Sequence, residues 1–209
     1  MTKQDIILIG AGGHALSCID VIEQTKNFHI AGLVGLKEEI GKVINGYKVI
    51  GSDSDLTQIV REYKFALIST GQITSADLRI KLYKKAIKVG FELPAITSPF
   101  SYVSPQAQIN KGTIVLHGAV INAGVKIGTN CIINSCVLIE HGTEVSDHCH
   151  VSTGAILNGS TRIGSRSFIG SGAILKQGIS IGSDCQVGMG QLITKNLDNQ
   201  QKLTVNTKL

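Results

Sequence analysis

From Val103 to Ile193 every sixth residue is aliphatic: Val103, Ile109, Val115, Ile121, Ile127, Ile133, Ile139, Val145, Val151, Leu157, Ile163, Ile169, Leu175, Ile181, Val187 and Ile193. Neither the 3.6-residue period of a helix nor the two-residue period of a strand produces this spacing. A coil of three six-residue segments does, because each segment sends one branched aliphatic into a shared, prism-shaped interior. The position four residues after each aliphatic is usually small or compact, as at Ala107, Ala119, Cys131, Thr143, Ala155, Ser167 and Cys185, and suits a crowded corner. Glycine directly after the aliphatic, at Gly128, Gly164, Gly170, Gly182 and Gly188, is expected to supply the unusual backbone angles of a tight turn. At eighteen residues per coil the repeat makes roughly five coils, each rising about 4.8 Å, the strand spacing of a sheet.

The first half alternates differently. Ile6–Ile9 reads as a buried strand, Gly10-Ala11-Gly12-Gly13-His14 as a glycine loop, and 15–26 as a helix with Leu16, Ile19, Val21 and Ile22. A strand is expected at 29–34, and a hairpin where Asn45-Gly46 separates two apolar pairs. Asp53 or Ser54 is expected to cap a helix reaching Tyr63, followed by a strand at 65–69, the Thr70-Gly71 loop, a helix from Ser75 to Val89 ended by Gly90, and a short strand at 91–93. This is the order of a small doubly wound α/β domain of Rossmann-like type. All three prolines, Pro94, Pro99 and Pro105, fall between the two patterns. The expected domains are therefore 1–97 (α/β) and 98–209 (solenoid with a polar tail).

Composition narrows the partners. The net charge is +5, but Lys and Arg are scattered and aromatics make up only 4%, which favours small anionic ligands over nucleic acid. Four of the five cysteines lie in the repeat, as small interior or corner residues rather than a disulfide framework, so a reduced cytoplasm is expected. No stretch is long and apolar enough to suggest export or membrane insertion.

Two stretches carry candidate chemistry. Gly10, Gly12 and Ala15 fit the G-x-G-x-x-G/A pattern, whose amides approach a phosphate at a helix N-terminus. The second strand ends Leu33-Val34-Gly35-Leu36, without the acid that would hold a nicotinamide cofactor's ribose, so NAD is disfavoured. Another phosphate-bearing ligand and a purely structural turn both remain. In the repeat, three of six histidines fall between His141 and His150. One coil away from His141 stand Ala123 and Gly159, small neighbours that leave room for a ligand beside the imidazole. Such a histidine can take a proton from an amine or hydroxyl attacking a thioester. The alternative is a polar residue on the outer surface. Zinc is disfavoured because no C-x-x-C or H-x-x-x-H spacing occurs.

Taken together, the Gly-Gly-His loop, the α/β half, the proline junction, the hexads and the segment Asn134-Ser135-Cys136-Val137-Leu138-Ile139-Glu140-His141 resemble the bacterial sialic acid O-acetyltransferase family, which includes nucleotide-amino-sugar N-acetyltransferases. The resemblance spans nearly the whole chain. It implies a left-handed parallel β-helix, a homotrimer, acetyl-CoA in the groove between protomers, and a nucleotide-linked amino sugar held by the N-terminal domain. It implies His141 as general base, with Asn134 lining the same pocket and Glu140 or Glu144 as candidates to orient the ring. It further implies cofactor contacts at His150, Gly159, Gly188, Met189, Gly190 and Lys208, and sugar-nucleotide contacts at Gly10, Gly12, Gly13, His14, Thr70 and Gly71, with no metal. Three features depart from the family pattern: Gly142 follows the histidine, Val34-Gly35 stand where acids often face the nucleotide, and the C-terminal Gly-x-Pro-Ala-Lys segment is missing. The expected reaction is acetyl transfer to the amine of a UDP-4-amino-sugar type of acceptor in bacterial glycan synthesis. Acetylation of a sugar hydroxyl and a non-catalytic scaffold are the competing readings.

Overall fold

The computed structural model describes residues 3–204. The chain divides into two compact units: one runs up to Gly71 and resumes over Asp77–Ile96, and the other takes Gln72–Ala76 and the described chain from Thr97 onward. No described helix is long and apolar enough to cross a membrane.

In the first unit β1 (Gln4–Ile9), α1 (Gly13–Gln24), β2 (Phe28–Gly35), β3 (Val43–Ile44), β4 (Tyr47–Ser52), α2 (Leu56–Ile59), β5 (Phe65–Ile68) and α3 (Asp77–Val89) follow one another. The sheet order is β3-β4-β2-β1-β5, parallel except for the edge strand β3. Ile6–Ile9 are fully buried because a central parallel strand is covered on both faces. Asn45 and Gly46 both have positive φ, 47° and 85°, the pair of left-handed residues that a two-residue hairpin turn needs. The helix expected as far as Tyr63 is a single turn. Its N-cap position falls at Asp55 rather than at the expected Asp53 or Ser54, and Asp55 makes no side-chain cap bond; its carboxylate turns back to accept the Ser52 amide and hydroxyl, both at 2.8 Å, and these bonds hold it below the usual carboxylate range. The strand expected at 91–93 is reduced to one bridge between Glu92 and Phe65.

In the second unit every coil strand is two residues long and pairs in parallel with strands eighteen residues away, except the last, Lys202–Leu203, which lies sixteen residues after its partner Gln186–Val187. One wall runs Val120, Leu138, Ile156, Ile174 and Leu192; a second Lys126, Glu144, Arg162 and Ser180; a third Ile132, His150, Phe168 and Gln186. The residue following each of these is the aliphatic of the six-residue period and points inward, so the first points outward. The result is a left-handed parallel β-helix. Its interior is the continuous buried stack from Val115 to Ile193. At one corner Thr113, Cys131, Cys149 and Ser167 are wholly buried, and each hydroxyl or thiol donates to a carbonyl fifteen residues on, at Gly128, Ser146, Gly164 and Gly182. These bonds satisfy the buried groups and tie each corner to the next. Burial pushes the Cys149 thiol up, so this is a structural cysteine rather than a nucleophile.

The glycines after the aliphatics do not have the turn angles expected of them. Left-handed φ recurs at every sixth residue from Gly112 to Gly190, three places after the aliphatic, and is taken by Asn130, Cys136, His148, Ser160, Arg166 and Asp184 as well as by glycine. What requires glycine at Gly164 and Gly170 is the next coil: a methyl group there would stand 2.5 Å from the backbone carbonyl carbon of Gly182 or Gly188.

Candidate active site

His141 occupies the corner that follows strand Leu138–Ile139, and its side chain is 64% exposed. The ring lies over Gly159, where a methyl group would stand 2.6 Å from Cε1 and 2.7 Å from Nε2. The small neighbour expected to make room for a ligand therefore makes room for the imidazole itself. Gly159 has no positive φ, so Gly159→Ala should leave the coil folded while displacing the ring. We expect kcat to fall on the order of 100-fold with an unchanged circular dichroism spectrum, since an ångström of misplacement costs about that much. Steady-state kinetics of the purified variant checks this.

Of the two acids near the ring, Glu144 is paired with Lys126 at 3.5 Å on the polar wall, whereas Glu140 Oε2 stands 3.6 Å from His141 Nδ1. That same Oε2 accepts a hydrogen bond from Asn122 Nδ2 at 3.0 Å. Asn122 was not anticipated, although it precedes Glu140 by one full coil.

Asn134 lies at the corner before strand Leu138–Ile139, across the wall from His141. Its Oδ1 accepts the Ser135 amide at 2.8 Å, which aims Nδ2 at His150 Nε2, 3.3 Å away. His150 is only 6% exposed; its Nδ1 donates to the Gln72 carbonyl at 2.5 Å, and its ring meets Phe168 edge-on at 5.2 Å. The carbonyl accepts and the amide donates, so the ring is neutral with its hydrogen on Nδ1. Gln72 also donates from Nε2 to the His148 carbonyl at 2.8 Å, and Gln186 donates to the Thr74 carbonyl. This short segment was not legible in the sequence. Gly188-Met189-Gly190 turns at the same corner as Asn134, three coils on. Gly188 approaches the Leu203 carbonyl, Met189 is 67% exposed, and Gly190 has φ 66°. Within one chain, then, His141 and Glu140 stand on one edge of a wall, and Asn134, His150 and the Gly188–Gly190 turn on the other. The outward residues of that wall are all apolar: Tyr102, Val120, Leu138, Ile156, Ile174 and Leu192. Lys208 lies outside the described residues.

The first unit carries a cleft of about 490 Å³ at the carboxyl ends of β1, β2 and β5, lined by Gly10, Gly12, Leu36, Asp53, Thr70 and Leu78 among others. Gly10 has φ 126°, and a methyl group there would strike Thr70 Oγ1 at 2.5 Å. Gly12 and Gly13 differ: their φ values are unexceptional and a methyl group would meet nothing within 4 Å. Neither fold nor dihedral requires glycine there. Helix α1, which they open, has no side-chain cap and no acid in its first turn, so its amides face an open approach suited to an anion. His14 follows on the helix, its Cβ 3.5 Å from where a methyl group on Gly71 would be. Buried Arg79 donates to the Ile68 and Thr70 carbonyls at 2.7 and 2.8 Å and fixes the Thr70 side of the cleft. The acids missing at Val34-Gly35 come slightly later: Glu38 and Glu39 line the same cleft, and Glu39 Oε2 accepts the Leu36 amide at 2.7 Å.

A hexad-built β-helix with an exposed, carboxylate-flanked imidazole at a corner, joined to a glycine-loop α/β unit, defines a hexapeptide-repeat acyltransferase. Residues 5–86 match the PglD N-terminal domain profile, and residues 124–158 and 160–195 match that of the hexapeptide repeat of succinyl-transferase. Over both halves the chain is similar to the family of sialic acid O-acetyltransferases and nucleotide-amino-sugar N-acetyltransferases. Among solved structures it is similar to a histidine-to-asparagine mutant of perosamine N-acetyltransferase from Caulobacter crescentus in complex with CoA and GDP-perosamine, with 29% identity, 97% of this chain and 94% of that chain covered, and a TM-score of 0.90. It is equally similar to the acetyltransferase domain of PglB from Neisseria gonorrhoeae in complex with acetyl coenzyme A, at 29% identity, 98% coverage of both chains and a TM-score of 0.89. WeeI from Acinetobacter baumannii, at 22% identity, 98% coverage of both chains and a TM-score of 0.79, shares the fold.

Proposed function

We propose that this protein transfers the acetyl group of acetyl-CoA to the amine of a nucleotide-linked amino-deoxy sugar in bacterial glycan synthesis. The observation that carries the reading is the exposed His141 ring, seated on Gly159 and flanked by Glu140, at the edge of an apolar wall. The relatives that bind CoA with GDP-perosamine, or acetyl-CoA, support it. The neutral amine attacks the thioester carbonyl, a C–N bond forms, and His141 Nε2 takes the proton the amine loses. The C–S bond then breaks and the proton returns to the thiolate, which leaves as CoA-SH. The amides of Gly188 and Gly190 are committed to the Leu203 and Ser171 carbonyls at 2.6 and 2.8 Å, so we place the oxyanion beside Gly159. The nucleotide's phosphates are assigned to the N-terminus of α1 at Gly12 and Gly13, beside His14, with Thr70 and Gly71 alongside.

The assembly in this reading is a homotrimer. An apolar ladder from Tyr102 to Leu192 is unsuited to water, and packing it against a second copy brings the Asn134 and Gly188–Gly190 edge of one protomer to the His141 edge of the next. Acetyl-CoA would lie in the groove so formed. Release of free thiol from acetyl-CoA, followed with UDP-, GDP- and dTDP-linked amino sugars and with free sialic acids, tests the function. We expect turnover with one nucleotide-linked amine and none with the free acids. Turnover of a free sialic acid alone would move the reaction to a hydroxyl, and no thiol release with any acceptor would favour a scaffold.

A further inference from the structure

We propose that Asn122 is a positioning residue for the transfer, acting on His141 through Glu140; this rests on the reading of His141 as the base. Residues eighteen apart stack at the same corner of the coil, so Asn122, Glu140, Asn158 and Lys176 form one column. The two asparagines that flank Glu140 behave differently. Asn158 spends its amide on the Leu175 carbonyl at 2.8 Å, and its own carbonyl accepts Thr143 and Thr161, so it serves the backbone. Asn122 gives its amide to Glu140 Oε2, the oxygen that faces His141 Nδ1.

An unbraced glutamate on a surface corner samples several rotamers. Holding one oxygen by a neutral donor keeps the carboxylate beside the ring without introducing a cation to compete for it. Around the imidazole stand Glu140, the Gly159 backbone and Ser160, whose amide binds the His141 carbonyl at 2.9 Å; Glu144, on the following strand, is engaged by Lys126. Glu140 is thus the charged group in reach of Nδ1. An acceptor at Nδ1 favours the tautomer with hydrogen on Nδ1, which leaves Nε2 free to take the amine's proton. The 3.6 Å separation is loose for a hydrogen bond, as acid–base pairs often are before substrates bind.

Asn122→Ala, Glu140→Gln and the double variant test this in the full-length protein. We expect each single variant to lower kcat roughly tenfold with little change in the KM for acetyl-CoA. The double variant should be no slower than Glu140→Gln, because both act along one chain of contacts. Nitrogen NMR of protein labelled at histidine, with the His141 signals assigned by their loss in His141→Ala, should show the Nδ1–H tautomer in the parent and its decline in Asn122→Ala. Where alanine does not fold, Asn122→Ser serves in its place. An unchanged tautomer and kcat in the Asn122 variant, or strictly additive losses, overturn the proposal. If His141→Ala itself keeps near-parental turnover, the base assignment has failed, a different result from failure of Asn122 alone.

Discussion

Replacing His141 by alanine is expected to lower kcat by about 10²- to 10⁴-fold, the usual worth of a positioned general base. That is about 3 to 5 kcal/mol at the transition state. The side chain is mostly exposed and rests on Gly159 at the surface of the coil, so stability and assembly should be nearly unchanged. The loss therefore has to appear in turnover rather than in yield of folded protein. A residual rate should survive, since substrates are still held together. Thiol release by the purified variant, with its assembly state confirmed by light scattering, decides the matter. Near-parental turnover in an intact assembly would remove His141 from the chemistry.

A lysine at Ile156 should be as damaging by a different route. Ile156 is half-buried in the single chain and stands between Leu138 and Ile174 on the apolar wall. If that wall is the face between copies, the substitution puts an unpaired ammonium into each contact, at a cost of several kcal/mol per site. We expect Ile156→Lys to run as a folded monomer by light scattering, with the β-sheet circular dichroism of the parent and almost no thiol release. Its fold survives because Ile156 points away from the interior stack, to which Leu157 contributes. A variant that stays assembled and active would show that this wall is not an interface.

Much of this architecture could be read from the sequence because one period governs it. Every aliphatic of the six-residue series from Val115 on lies in the buried stack, since a tube with one inward position per segment tolerates no other residue type there. The turns depart from the sequence expectation for a physical reason. Glycine after the aliphatic answers to a neighbouring backbone rather than to a special dihedral, while the left-handed position accepts Asn130, His148 and Asp184. Composition alone does not separate these two demands. Glu140 and His141 were legible as neighbours. Asn134 and the Gly188–Gly190 turn stand, by steps of eighteen, at another corner of the chain than His141, and meet it only across protomers in the proposed assembly. Gln72 could not have been found, because it reaches the coil from more than seventy residues upstream of His148 and His150.

The ladder of parallel pairs carries a rule about length. Each strand recognises only the one a full circuit away, so deleting a single residue would rotate everything downstream onto the wrong side, exchanging lining for exterior. Removing a whole circuit would leave all three walls intact and shorten the tube by about 4.8 Å. Along the regular coils the spiral is therefore free to grow or shrink only in quanta, the sixteen-residue circuit being confined to its end. The span from the imidazole to the far rim is therefore set in steps of that size.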